Sequence, residues 1–229
     1  WSFQIYDDLD QYKMVRELLQ ARDMDSSASS IRSMCNFIER MKNRGATPKR
    51  AHELAFKQED EENAWFYEAY QDALRQANCL DFGDLITGVL EIFREHPEIA
   101  ASYSKQWRFL MVDEFQDTNP AQYELLAHLT SEHDNLAVVG DDDQAIYRWR
   151  GATIDNILGF EHEFKNTKVI KLEQNYRSTN MILDAANAVI ANNSLRHDKK
   201  LWSAKGDGDK LRWIECASDR DEAEFVSSE

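Results

Sequence analysis

Two adjacent carboxylates, Asp113 and Glu114, close an apolar run in "RFLMVDEFQDTNPAQ" (108–122). A carboxylate at the end of a buried strand is a hard oxygen ligand suited to Mg²⁺, directly or through water. A second carboxylate beside it is placed to orient or deprotonate a water aimed at a terminal phosphate. The same pair would also serve as strand-end acids that cap the next helix, and this stretch alone does not separate the two readings. A second constellation is "AVVGDDDQAIYRWRGA" (137–152). Gly140 ends its apolar run in a tight turn, and Gln144 can hydrogen-bond both a phosphate oxygen and an attacking water. Tyr147, Arg148, Trp149 and Arg150 then set rings and guanidinium groups side by side. An indole face such as that of Trp149 stacks on any base, a contact worth ~1–3 kcal/mol. Burial of Tyr147 and Trp149 in a core is the competing reading, disfavoured by the aspartates and arginines around them. In the third, "LEQNYRST" (172–179), Arg177 precedes a helix capped by Ser178 and can stabilise the charge of a phosphoryl-transfer transition state. Tyr176 can stack on a purine. Taken alone, this is equally an ordinary strand-to-helix turn with a surface arginine.

These residues need elements to hold them. Short β-rich runs, "FLMVD", "LAVVG" and "KVIKL", alternate with helical stretches expected at Pro120 to about Thr130, near 153–164, and from Ser178 onward. Strands alternating with helices predict a parallel sheet, whose ligands gather at the carboxyl ends of its strands. Runs that are continuously apolar predict a sheet covered on both faces. "DFGDLITGVLEIFREH" reads as an amphipathic helix capped by Asp81 and stopped before Pro97. Residues 1 to about 80 read as all helix. In "SSIRSMCNFIERMKNRG" the residues Ile31, Met34, Cys35, Ile38 and Met41 recur at three- and four-residue steps on one face. Ser29 or Ser30 caps that helix, Gly45 takes the left-handed position past its end, and Thr47-Pro48 opens the next. A further helix carries Trp65, Ala69 and Ala73 or Leu74. "SAKGDGDK" (203–210) reads as an exposed loop, and "SDRDEAEFVSSE" as a capped helix start.

Composition narrows the classes. The 229 residues are 42% hydrophobic and 30% charged, with a net charge of −15. That balance argues against coating nucleic acid by bulk electrostatics and leaves room for a local groove. Three cysteines, far apart and in no CxxC pair, fit a reducing cytosol and no zinc site. Scattered histidines offer no metal-ligand spacing, no window approaches the apolar length of a membrane span, and the stretch "WSFQIYDDLD" does not read as a charged and apolar signal segment.

"VDEFQDTN", "VVGDDDQAIYRWRGA" and "LEQNYRS", in this order and spacing, closely resemble motifs II, III and IV of superfamily 1A DNA helicases of the UvrD/Rep/PcrA type. "LDFGDLI" (80–86) is similar to the family's return from an inserted helical subdomain, and "IYDDLDQ" (5–11) lies near that insertion's start. The resemblance implies an α/β, P-loop NTPase (RecA-like) parallel-sheet fragment with an all-helical inserted subdomain. Residues 1–80 would be the 1B-like helical subdomain, 81–166 the later half of motor domain 1A, and 167–229 the truncated start of motor domain 2A. It implies ATP and Mg²⁺ as cofactors, with Asp113 at the metal, Glu114 as catalytic base, Gln144 as γ-phosphate sensor and Arg177 as arginine finger. Tyr176 contacts the nucleotide base, and Arg150, also in the nucleotide site, couples it to DNA. Trp149 and Tyr147 match the residues that contact single-stranded DNA.

The same resemblance implies an ATP-dependent 3′-to-5′ helicase of repair or replication, cytoplasmic, with single-stranded and duplex-junction DNA as partners and no membrane. The basic stretch "ERMKNRGATPKR" (39–50) could touch duplex phosphates, or form a solvated helix end. No glycine-rich phosphate loop occurs in the sequence, and motifs V and VI are also missing, so the chain reads as an internal piece of such an enzyme. Two alternatives stand beside this one. One is the helicase subunit of a recombination nuclease, and the other a helicase-like module that binds DNA or a partner without turnover.

Overall fold

The structure, a computed structural model, describes residues 3–164, 166–194 and 196–228. The chain divides into two compact units, residues 1–167 and 168–229.

In the first unit, strand β1 (Gln4–Tyr6) runs parallel to β2 (Cys79–Asp81), with Gln4 opposite Cys79 and Tyr6 opposite Asp81. Parallel neighbours cannot be joined by a hairpin and require a crossover. Here the crossover is an entire helical block: α1 (Asp8–Ala21), α2 (Ala28–Asn43), α3 (Pro48–Glu53) and α4 (Gln58–Gln76). The expectation of an all-helical stretch to about residue 80 is therefore corrected at both ends. Three-residue strands carry too little pattern to register as such in a helical neighbourhood.

The block closes over Val15, Leu19, Ile31, Met34, Ile38, Met41, Phe66, Tyr67, Tyr70 and Leu74. A fully buried side chain such as Ile38 contributes roughly 1.5–3 kcal/mol. The caps follow local chemistry. Thr47 accepts from Arg50 N ahead of Pro48, and Gly45 sits at φ +63° past α2. The cap of α2 is Ser27, which accepts from Ser30 N, rather than Ser29 or Ser30.

After β2 come α5 (Asp84–Glu95) and α6 (Pro97–Gln106), then strand β3 (Leu110–Val112), α7 (Pro120–Leu129) and strand β4 (Leu136–Val138). Gly83 immediately precedes α5, yet the capping side chain is the expected Asp81, in a reciprocal pair with Asp84, whose Oδ2 accepts from Asp81 N at 3.0 Å. Asp81 ends β2 and accepts from Asp84 N, at the first residue of α5. Strands β3 and β4 are parallel neighbours, Leu110 opposite Leu136 and Val112 opposite Val138. Phe93, Ala100 and Leu129 form the small core over which α5, α6 and α7 pack, with Leu110 against it. Helix α8 (Asp155–Glu163) buries Phe160 edge-on to Phe115, ring centroids 5.5 Å apart.

The sheet is not covered on both faces. Phe109 is 82% and Met111 78% exposed, so within the described residues one side of β3 carries no packing layer.

The second unit holds α9 (Asn180–Ile190) and α10 (Asp219–Ser228). The run "KVIKL" does not form the expected strand. A strand exists only through a hydrogen-bonded neighbour, and the only parallel bridge described in this unit is Gln174 with Trp202. The loop at 203–210 is mostly exposed, yet it has a structural task. Its Gly206 and Asp207 carbonyls accept from Asn180 N and Met181 N, satisfying N–H groups that α9 cannot pair internally.

Candidate nucleotide-hydrolysis site

Site geometry begins where β3 leaves the sheet. Val139 N donates to Val112 O at 2.8 Å, and Phe115 N donates to Val139 O at 2.9 Å. The ladder thus continues past Asp113 and Glu114, which are both solvent-exposed at the strand's carboxyl end. Glu114 has φ +49° and ψ +42°, a left-handed conformation that costs a non-glycine residue about 1 kcal/mol or more. The tight helical turn Phe115–Asp117 follows, anchored by the fully buried Phe115 ring. Asp113 Oδ1 accepts from Glu114 N at 3.0 Å.

A residue that sequence reasoning passed over organises this turn. Gln116 is 1% exposed. Its Nε2 donates to Glu114 Oε2 at 2.8 Å, and its Oε1 accepts from Asp141 N at 2.9 Å. Asp141 in turn accepts from Gln144 Nε2 at 2.8 Å and from Asp143 N at 3.0 Å. A hydrogen-bonded path therefore runs from Glu114 through the Gln116 side chain and the backbone N and carboxylate of Asp141 to Gln144, joining the ends of two neighbouring parallel strands. Gly140 makes room for it, since a Cβ there would lie 2.7 Å from Gln116 Oε1. The available signal was a glutamine two residues past the acid pair, and only its burial reveals the task.

The carboxylates here are of the ligand type that a hard cation takes. Asp113 presents an exposed carboxylate, and in the same turn Asp117 has a buried Oδ1 with no hydrogen-bond partner. Burial and then the neighbouring Glu114 charge push the Asp117 carboxyl above the usual range. A divalent ion bound through carboxylate oxygens would relieve that cost.

The aromatic cluster is separate in character. Trp149 is 74% exposed and Tyr147 37%, which removes the buried-core reading. The Arg150 guanidinium lies over the Trp149 ring, 4.6 Å from its centroid, and 5.3 Å from that of Tyr147. Arg150 thus backs the rings in a cation–π stack, an open platform for a flat ligand.

Residues 1–165 match the family model described as the UvrD/REP helicase N-terminal domain, and residues 170–229 match the UvrD-like helicase C-terminal domain. The chain belongs to the UvrD/Rep helicase family. It is 43% identical over 228 residues to the ATP-dependent DNA helicase PcrA of Staphylococcus aureus and, to the same degree, to that of Staphylococcus epidermidis. Those alignments cover 100% of this chain and 31% of each relative, so the chain spans about a third of their length. Membership in the UvrD/Rep family carries with it the α/β fold of P-loop NTPases, and the short parallel sheets agree with it.

The third stretch singled out in the sequence, "LEQNYRST", lies in the second unit. Asn175 Oδ1 accepts from Arg177 N at 2.9 Å and Ser178 N at 2.7 Å, an Asx turn that sets the course of the backbone at Arg177. Tyr176 is 75% exposed, and its hydroxyl donates to Gln174 Oε1. Ser178 is not the helix cap, because Thr179 occupies that position before α9.

The basic tip at 39–50 is depleted by the fold. Lys42 is 3% exposed, and its Nζ lies 2.6 Å from both Asp81 Oδ2 and Asp84 Oδ1. Tyr70 also donates to Asp81, at 2.9 Å. A lysine so enclosed cannot meet a phosphate. Arg50 pairs with Glu53 at 2.6 Å, while Arg44 and Lys49 remain exposed on that tip. Among the described residues no helix is long and apolar enough to cross a membrane.

Proposed function

We propose that this chain supplies part of the ATP-hydrolysing and DNA-contacting machinery of an ATP-dependent helicase, cytoplasmic, moving 3′ to 5′ on single-stranded DNA in repair or replication. The observation that carries this reading is the path from Glu114 through Gln116 and Asp141 to Gln144. A base and a phosphate sensor must act on one water and one γ-phosphate, and this path makes their positions interdependent. In this reading residues 1–80 are an inserted helical subdomain, 81–166 belong to the first motor domain and 167–229 open the second.

Glu114 orients the attacking water and takes its proton. Gln144 hydrogen-bonds the γ-phosphate and reports its loss through Asp141. Asp113 would hold Mg²⁺, which supplies neutralisation of the charge on the phosphate oxygens. Arg177, from the second motor domain, stabilises the transition state, and Tyr176 stacks on the adenine. Trp149 and Tyr147 stack on successive bases of the strand, and Arg150 links that platform to the nucleotide. Duplex-junction DNA would be met on the helical subdomain, with Arg44 and Lys49 among its exposed cations.

Glu114→Gln in the full-length parent tests the assignment. ATP binding should persist while turnover falls by about 10²-fold or more, because the base is removed and the Asp113 ligand remains. Hydrolysis at the parental rate would show that Glu114 is only a strand-end acid.

A further inference from the structure

The last residue of α2, Asn43, joins segments far from it in sequence. Its Nδ2 donates to the Arg150 carbonyl at 3.1 Å, and its Oδ1 accepts from Asn119 Nδ2 at 2.9 Å. The polarity of this pair of amides is set by its two ends. Asn119 Oδ1 already accepts from Gln122 N at 2.9 Å, in the capping box of α7. Its NH₂ must therefore face Asn43, which answers with oxygen and turns its own NH₂ to the Arg150 carbonyl.

Just past the segment so held, Ala152 is buried and Thr153 N donates to Thr118 O at 3.1 Å, but the turn itself is anchored less firmly. The tight turn Arg148–Arg150 contains no buried residue. The neighbouring backbone bonds, from Arg150 N to Tyr147 O and from Gly151 N to Arg148 O, are local. Local bonds shape the turn without placing it on the molecule. Gly151 shows how closely α2 approaches. It has φ +88°, and a Cβ there would stand 2.8 Å from Asn43 Nδ2. The same end of α2 is clamped a second time, because Arg94 donates to Gly45 O at 2.8 Å while its other nitrogens engage Glu124 at 2.6 and 2.7 Å.

The geometry points to Asn43 as a positioning residue for the Tyr147–Trp149–Arg150 stack, tying it to the cap of α7 and to the helical block. This rests on the reading of that stack as the single-strand contact. Asn43 touches no ligand itself. It fixes the backbone carbonyl of the residue whose guanidinium backs both rings, so the platform stays aligned with the helix that follows the acid pair. Losing the bond frees the turn to move and makes strand binding bear the cost of ordering it.

Two near-isosteric changes in the full-length parent separate the links. Asn43→Asp keeps the acceptor for Asn119 and removes the donor to Arg150. Asn119→Asp keeps the α7 cap and removes the donor to Asn43. Each is assayed for ATP turnover against oligothymidylate concentration, with thermal unfolding followed in parallel. The expected result for Asn43→Asp is a rise of about five- to tenfold in the oligothymidylate needed for half-maximal stimulation, with KM for ATP unmoved. Asn119→Asp should shift it in the same direction by less. In a Trp149→Ala background Asn43→Asp should add little, since both act through one platform. A fully additive effect, an unchanged DNA constant, or a loss confined to melting temperature would overturn the role of Asn43. If Trp149→Ala itself leaves the DNA constant unchanged, the stacking assignment fails instead.

Discussion

Gln116 shows how much one buried amide can decide. It has one donor and one acceptor directed at two different strand ends, and it uses both. Replacing it by leucine would keep most of the volume, release the Glu114 carboxylate, and leave Asp141 N without its partner. The unsatisfied N–H alone costs about 1–3 kcal/mol. On the proposed reading of Glu114 as the base, Gln116→Leu in the full-length protein should lower ATP turnover roughly 10- to 100-fold by misplacing it, with KM for ATP little changed. Steady-state kinetics beside a denaturation curve would check this. A variant that melts earlier but turns over normally would show the path to be structural only. The left-handed backbone at Glu114 belongs to the same account, because the chain adopts a strained residue to bring its carboxylate within reach of Gln116.

Among the elements, α5 and α7 are held together by Arg94 and Glu124, a two-pronged pair with 2.6 and 2.7 Å contacts. The hydrogen bonds from Arg94 hold the Glu124 carboxyl below the usual range despite partial burial. His128 is the other ionisable neighbour, with Nε2 3.6 Å from Glu124 Oε1. Because the folded-state value lies below the unfolded one, the stabilisation is present in full above the ordinary glutamate pKa of about 4.3. It is lost as pH falls from there through the folded value. Both side chains are about a third exposed, so the pair is worth roughly 0.5–1 kcal/mol. Glu124→Gln should lower the stability measured by urea unfolding at pH 7 by that amount, and the gap to the unmutated protein should close on acidification below about pH 4. A gap that persists unchanged in acid would mean that packing, not charge, joins the two helices.

At the scale of the whole chain, apolar surface is left bare. Met111 of β3 and Phe109 just before it are uncovered, and in the second unit Ile170, Leu172 and Trp213 are 67%, 76% and 91% exposed. Exposure on this scale marks surface built to be covered. The 229-residue chain expressed by itself should therefore self-associate, which light scattering against concentration would reveal. It should also show no DNA-stimulated ATPase activity. No glycine-rich loop is present in the sequence to bind the β- and γ-phosphates. Phosphate release with Mg²⁺-ATP and oligothymidylate should not exceed that of a Glu114→Gln control. A monodisperse monomer, or release clearly above the control, would contradict this.

Residues a few positions apart along the chain decide what was legible from sequence. The three- and four-residue apolar steps of α2, Thr47 before Pro48, Gly45 past the helix end, and the acid pair at the close of β3 are all of this kind. The tertiary structure alone decided that β1 and β2 pair across the helical block, and that Lys42 is spent inside the fold on Asp81 and Asp84. It likewise decided that Gln116 and Asn43 hold distant segments in place. Asn43 lies 76 residues from Asn119 and 107 from Arg150. A polar side chain at such a position has no periodicity to announce it. Its role emerges only when the fold brings its partners within hydrogen-bond reach.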